Sequence, residues 1–370
     1  VRVLVVHNRY VSAVPSGENA VVDDEVAALR AAGVEVCTHI RSSDEIATLP
    51  PRQKALLPLR PSRSGEDARA VETLIREHRP DVLHLHNPYP LVSPWVIRVA
   101  HAHRVPVVQT VHNYRHGCVA GSHFRDHHVC EDCLGTRTRW PGVVHGCYRD
   151  SRPQSLALTA AELLHRGTWR GVERYLVLTE FARRLLVGAG LPAESIAVRP
   201  NSAPDPGPPT PPGEGLLFVG RLDEEKGAPL LYGALRPGVR LTVIGDGRHR
   251  PPEGVRWLGA QPPDVVAAEM ERCAAVVVPS VVYEGFPRVV AEAFARGRPV
   301  VATAVGPLPG LVTNDRGWVT PPAGLADTLA EVTADPARGA AARAYYLEHL
   351  TPERTMAQLL DVYAAVAGIA

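Results

Sequence analysis

Residues 274–303 read AAVVVPSVVYEGFPRVVAEAFARGRPVVAT. The flanks, AAVVVPS and PVVAT, are short β-branched runs of the kind that form strands buried on both faces. Between them, PRVVAEAFARG has helical periodicity and stops at Gly297. Strand, helix and strand in that order make a crossover unit, which predicts a parallel sheet with helices on its faces. The loop ahead of the helix carries chemistry as well. Gly285, Phe286 and Pro287 lie where loop should turn into helix, and Pro287 suits the first helical position. Glu284 precedes that turn, and Glu292 falls about two turns into the helix. Unpaired N–H groups and the positive end of the helix dipole lie between the two carboxylates, which favours an anion. An anion seat with an acid on either side fits a ligand with phosphate in the middle and hydroxyls at both ends, the layout of a nucleotide sugar. Taken alone, the segment reads equally well as an amphipathic helix with a surface glutamate.

The alternation extends in both directions. Upstream, VRVLVV (1–6), VEVCTHI, DVLHLH, VPVVQTVH, YLVLT and SIAVRP read as strands separated by helical segments. Residues 50–64, rich in Pro and Arg, read as a loop, and residues 114–150 break the rhythm. NSAPDPGPPTPPGEG (201–215) reads as an interdomain linker. A second strand–helix series follows it: GLLFVGRL, RLTVIGDG, VRWLG and the segment quoted first, with 338–367 helical. The fold class is therefore α/β, with two Rossmann-like domains of similar architecture facing each other across a cleft. Ligands in such sheets bind at the C-terminal strand ends.

Composition narrows the function. The 370 residues suffice for two domains, and the formal net charge of +1 gives no global field for nucleic acid or an anionic membrane. No apolar run reaches bilayer-spanning length. VRVLVVHNRY is too short and strand-like for a secretory signal, so a soluble cytoplasmic protein is expected, with peripheral membrane contact through a basic patch left open. The basic residues are almost all arginine, and Lys54 and Lys226 are the only lysines. A lysine retained against such a bias invites a role.

Lys226 stands in VGRLDEEKG, where Gly220 and Arg221 end a strand and Lys226–Gly227 follow an acidic turn. Arginine as a bidentate fork and lysine as a point charge suit a diphosphate better than a solvated turn does. VIGDG supplies Gly245 and Gly247 for a tight turn after a strand, alone a weak signal. In VPSGENAVV, Gly17 leads a helix that could face a phosphate or acceptor group, while Ser16 could equally be an ordinary N-cap. His112 ends the strand in QTVHNY, a place from which polar side chains face a cleft; HLHN (84–87) is a weaker candidate.

Gly220–Arg221, Lys226–Gly227, IGDG and Glu284-x7-Glu292, in this order and spacing, resemble the retaining glycosyltransferases of family 4, over nearly the whole chain. That resemblance implies the GT-B architecture: an acceptor-side domain 1–200 with a Cys-rich insert at 114–150, the linker 201–215, a donor-side domain 216–345, and a C-terminal helix at 346–370 packing back on the first domain. It implies that Arg221 and Lys226 hold the donor diphosphate, aided by the N–H groups of Gly285 and Phe286. It further assigns the donor-sugar hydroxyls to Glu284, the ribose to Glu292 and the reacting sugar to His112. Gly17 would let its loop approach donor or acceptor; many relatives have two glycines where this chain has Ser16–Gly17. No catalytic metal is implied. The partners are a nucleotide-sugar donor, UDP by default with GDP and dTDP behind it, and a hydroxyl acceptor, such as an aminocyclitol-type natural product or a glycan. A nucleotide-sugar epimerase on the same frame is the alternative enzyme, and a non-catalytic two-lobed binding protein the alternative class.

Cys118, Cys130, Cys133 and Cys147 follow the pattern C-x11-C-x2-C-x13-C. Such spacing fits a structural zinc with four thiolates, and disulfides or unligated thiols are the other readings. A nucleic-acid module is disfavoured by the mixed charge and the lack of a basic recognition helix. Cys37 and Cys273 read as inert core thiols.

Overall fold

The computed structural model describes residues 1–13 and 16–369. The chain divides into two compact units: residues 1–121, 131–199 and 356–370 form the first, and residues 122–130 and 200–355 the second.

Each unit is built on a six-stranded parallel sheet. In the first, the strands lie side by side as Glu35–Ser42, Arg2–Arg9, Val82–Leu85, Val107–Val111, Arg174–Val177 and Ile196–Val198. The second has the order Arg256–Trp257, Leu241–Ile244, Leu216–Val219, Ala275–Val278, Val300–Thr303 and Gly317–Thr320. In both sheets the chain runs outward from its first strand, then returns to its other side. This puts a topological switch point between Arg2–Arg9 and Val82–Leu85, and another between Leu216–Val219 and Ala275–Val278. The central strands are apolar because helices cover both faces; Val82–Leu85, Val107–Val111, Ala275–Val278 and Val300–Thr303 are buried throughout.

Helix starts follow local chemistry. Ser16, Ser64, Thr179 and Asp335 each accept the N–H three residues on, satisfying a group the helix leaves orphaned. Val14 and Pro15 of the segment VPSGENAVV, and Ala370 of the C-terminal segment, lie outside the described residues. The last helix, Pro352–Ala367, places Leu359 and Tyr363 in one apolar cluster with Val3, Val5, Val82 and Val108 of the first sheet.

Three expectations are corrected. Residues 50–64 are not all loop: Pro51–Leu56 is a short helix and Leu57–Leu59 a 3-10 turn. Pro51 presets the first-turn φ and the following Arg-Gln-Lys-Ala-Leu are good helix formers, so the prolines start a helix there rather than forbid one. The helical region 338–367 is two helices, Pro336–His349 and Pro352–Ala367, parted at Leu350–Thr351 because a helix avoids the residue before proline. Pro287 is the extended cap residue, with Arg288 the first in the helix.

Residues 201–215 have no regular structure, yet they are anchored. The buried guanidinium of Arg298 donates to the carbonyls of Thr210, Pro211, Met270 and Glu271 at 2.7–3.2 Å.

Candidate functional site

In the second unit, the chemistry-bearing loops meet at the switch point. Gly220 and Gly245 end neighbouring strands; a Cβ on Gly245, whose φ is 136°, would lie 1.9 Å from the Gly220 carbonyl oxygen. Gly247 is held as closely to Leu222, so glycine is what lets the two loops touch. The acidic turn then closes on itself: Asp223 accepts from Lys226 N–H at 2.9 Å, and Glu224 O from Gly227 N–H at 2.8 Å. Gly227 has φ 75°, and a Cβ there would sit 1.9 Å from the Pro279 carbonyl oxygen. That contact seats Lys226 beside the loop that follows the strand Ala275–Val278.

Lys226 Nζ donates to both oxygens of Glu284, at 2.7 and 2.8 Å, and Ser280 Oγ donates to Oε1 at 2.5 Å. Burial pushes the Glu284 carboxyl up, but the Lys226 ammonium, the Ser280 hydroxyl and Arg221 outweigh it and hold it below the usual range. Arg221 is exposed, 3.2 Å from Asp223 and 3.3 Å from Glu225. The helix Arg288–Ala295 has no side-chain cap at Pro287, and Val290 N–H donates to the Pro287 carbonyl at 3.0 Å. Glu292, one turn in, lies 3.9 Å from Arg288. The loops after the strands Leu216–Val219 and Ala275–Val278 thus bring the Lys226 cation and the Glu284 carboxylate together, with the helix Arg288–Ala295 starting four residues on.

A short antiparallel hairpin from the cysteine segment, Phe124–Arg125 with His128–Val129, belongs to this unit. Its His127 pairs with Glu224, just before Lys226, and the ring of His123 lies 5.6 Å from that of Tyr283, next to Glu284.

In the first unit, His112 lies just past the strand Val107–Val111. Its Nε2 is 2.9 Å from His86 Nδ1, and His86 Nε2 is 3.4 Å from Glu25 Oε1. Burial would raise Glu25, but Arg199, at 2.5 Å, and then His84 keep it ionised, well below the usual carboxylate range. The His86 Nε2–Glu25 Oε1 approach is not a hydrogen bond, since neither atom has a hydrogen-bond partner among the described residues. Burial holds the His112 imidazole well below its ordinary value, so it is neutral at pH 7.

Among the described residues, Glu25, His84 and His86 are the group with ligand atoms close enough for an ion, all within 4.8 Å. The guanidinium of Arg199 already neutralises Glu25, and Tyr363 Oη sits 2.6 Å from His84 Nδ1. The cluster is therefore internally balanced without a cation. A cavity of about 20 Å³, room for one water, adjoins His112 and is lined by Glu18, Asn113 and Arg115. Burial lifts the Glu18 carboxyl to about 7, Tyr10 and Arg115 opposing it.

Two family models match the chain. One, described as "Glycosyl transferase 4-like domain", covers residues 16–202, half of the chain; the other, "Glycosyl transferases group 1", covers residues 213–335. The chain belongs to the family 4 glycosyltransferases.

Among curated members of this family, the chain is 33% identical to a glycogen synthase of Mycobacterium tuberculosis over 71% of its own length, and spans 62% of that protein. It is 27% identical to a phosphatidyl-myo-inositol mannosyltransferase of Mycobacterium leprae over 68% of its length, spanning 62% of the relative. A sucrose-phosphate synthase structure from Thermosynechococcus elongatus aligns over 100% of both chains with a TM-score of 0.71 at 18% identity. Anabaena HepE in complex with UDP-glucose aligns over 98% of this chain and 99% of its own with a TM-score of 0.65 at 18% identity. The fold is GT-B, as expected.

Of the residues expected from this family's pattern, Lys226 is brought onto Glu284 and Gly245 onto Gly220, while Glu292 lies against Arg288. Gly17 opens the helix Gly17–Ala31 with empty space where a Cβ would point, and Ser16 is the N-cap. Cys118 and Cys133 are buried, Cys130 and Cys147 half-buried. A Cβ on Gly142 would meet Val119 at 2.5 Å and Cys133 Sγ at 3.3 Å, and Cys147 N–H donates to Gly142 O. Ser280, Glu18, Glu25 and Arg199 were missed. Only Glu25 carried a hint, a carboxylate on the inward face of its helix with Val22, Val26 and Leu29.

Proposed function

We propose that the chain is a retaining glycosyltransferase that moves a sugar from a nucleotide-diphosphate sugar to an acceptor hydroxyl. The Lys226–Glu284 pair beside an uncapped helix N-terminus carries the reading. Breaking the anomeric bond leaves negative charge on the departing diphosphate. Arg221, Lys226 and the N–H groups at Gly285 and Phe286 are preorganised to stabilise it, the role a divalent ion plays elsewhere. As the diphosphate takes over the Lys226 protons, Glu284 is released to accept donor-sugar hydroxyls, and Glu292 accepts those of the ribose. Neutral His112 supports the reacting sugar.

UDP is the nucleotide we assign, since HepE has been seen with UDP and with UDP-glucose. The acceptor is a small natural product of aminocyclitol type or a glycan, and the site of action the cytoplasm. No helix among the described residues is long and apolar enough to cross a membrane. Incubation with UDP-sugar and an acceptor panel tests the reading: acceptor-dependent release of UDP with the α-anomeric product supports it. Conversion of the donor sugar without acceptor would instead mark an epimerase, and tight binding without turnover a binding protein.

We propose that the four cysteines hold a structural zinc, although their sulfurs are not among the described ligand atoms that lie within 4.8 Å of one another. The segment around them concentrates left-handed backbone at His123, Asp126, His127, Arg139, Arg149 and Asp150, a costly set that a cross-linking centre would hold in place. Zinc would supply that constraint and take no part in transfer. Metal analysis should find about one equivalent; under about a tenth rejects the proposal.

A further inference from the structure

A second cavity of the first unit, about 60 Å³, lies outside every site assigned above. Thr159, Glu162 and Leu163 present one face of the helix Arg152–Leu164 to it, at i, i+3 and i+4. The short helix Arg166–Arg170 adds Trp169 with arginines at both ends, and Arg137 and Arg139 close it from the cysteine segment.

Two observations point to a ligand. Thr159 and Trp169 are 3% and 4% exposed, yet Thr159 Oγ1 and Trp169 Nε1 have no hydrogen-bond partner. Buried polar atoms left unpaired cost about 1–3 kcal/mol each, so they signal a missing acceptor. The charge around the cavity is also unbalanced. Glu162, the acid in the lining, is already bound by Arg139 at 3.2 Å and by the Tyr89 hydroxyl. Arg137, Arg166 and Arg170 have no carboxylate partner among the described residues. The two buried donors are the atoms that lack an acceptor, and the three guanidinium groups, all solvent-exposed at the rim, suit a compact acceptor-rich anion there. His116, Glu162 and Trp169 line both this cavity and the one beside His112.

We propose that this cavity is an oxyanion site that holds the phosphate or sulfate group of an anionic acceptor, with Arg166 and Arg170 as its cations and Thr159 and Trp169 as its inner donors. That the ligand is the acceptor rests on the transferase reading; that the cavity binds an oxyanion does not.

The test is calorimetric titration in an Arg221→Ala/Lys226→Met background, which removes the other phosphate-binding cluster. The probes are inorganic phosphate, phenyl phosphate and, as the neutral control, phenol. Both phosphates should bind and phenol should not. Arg166→Gln/Arg170→Gln should weaken phosphate at least about tenfold with an unchanged circular dichroism spectrum, and Thr159→Val several-fold. Preference for phenyl phosphate would identify a phosphorylated compound as the ligand, and equal affinity free phosphate, which would overturn the acceptor role while keeping the oxyanion site. Phosphate binding indifferent to Arg166 and Arg170, or no binding in that background, would overturn the site itself. Failure of sugar transfer with intact phosphate binding would count against the transferase reading alone.

Discussion

Replacing Lys226 with methionine removes the cation from a pair whose other member cannot escape to water. Glu284 is 8% exposed, and both its oxygens lie within 2.8 Å of Nζ. Breaking a buried ion pair from one side costs about 3–5 kcal/mol. The Lys226 side chain is 30% exposed, so solvent screens the pair and a smaller figure, about 2–3 kcal/mol, is appropriate. The loss should depend on pH with a definite sign. In the native protein Glu284 is held below its ordinary value, so its contribution is present above the unfolded pKa and lost as pH falls through the folded one. Without Lys226 the largest lowering influence is gone and Glu284 moves up from its depressed value, with Ser280 and Arg221 still opposing burial. The variant therefore lacks part of the stability that the native protein gains as pH rises through the carboxylate range, and the gap between them widens across that range. Denaturant midpoints across that range measure it. Adding Glu284→Gln to the variant should restore most of the stability, because a neutral amide needs no counter-charge, while transfer stays abolished. A pH-independent loss, or no rescue by the second substitution, would refute the buried-pair reasoning.

Glu18→Gln should behave in the opposite sense: a carboxyl raised to about 7 costs stability once ionised, so the variant should exceed the native protein by up to about 3 kcal/mol at pH 8 and match it near pH 4 in thermal denaturation. Gly227→Ala must place a Cβ 1.9 Å from the Pro279 oxygen in left-handed backbone, so about 2–5 kcal/mol of destabilisation and loss of turnover should appear together in unfolding and transfer assays. Glu25→Gln removes the carboxylate that pairs with buried Arg199, and about 3–5 kcal/mol should be lost in denaturant titrations.

The fold was legible because parallel strands buried on both faces are written as short β-branched runs, and helices such as Gly17–Ala31 and Arg288–Ala295 are closed by a glycine in left-handed backbone, Gly33 and Gly297. The crevice around Glu284 was legible for a related reason: loops that bind phosphate need glycine where backbones touch, and Gly227 and Gly245 stand at such contacts. What escaped was whatever depends on distant segments meeting. Glu25 and Arg199 are 174 residues apart in sequence, and no local pattern announces their bond. Ser280 looked like the end of a strand, although its hydroxyl belongs to Glu284. The Arg298 anchor of residues 201–215 was hidden in the same way, since an arginine that donates to carbonyls across the fold reads as a surface charge. Proline misled at residues 50–64, where it opens a helix instead of preventing one.

The central claim is that Arg221, Lys226 and the turn before Arg288 form a diphosphate seat. Calorimetric titration of UDP, GDP and dTDP into the native chain and into Arg221→Ala/Lys226→Met tests it most directly. One nucleoside diphosphate, UDP, should bind the native chain at a single site, and the double variant should lose about 30-fold or more in affinity while keeping its secondary structure. Equal binding to both proteins, or no binding of any nucleoside diphosphate to the native chain, would contradict it.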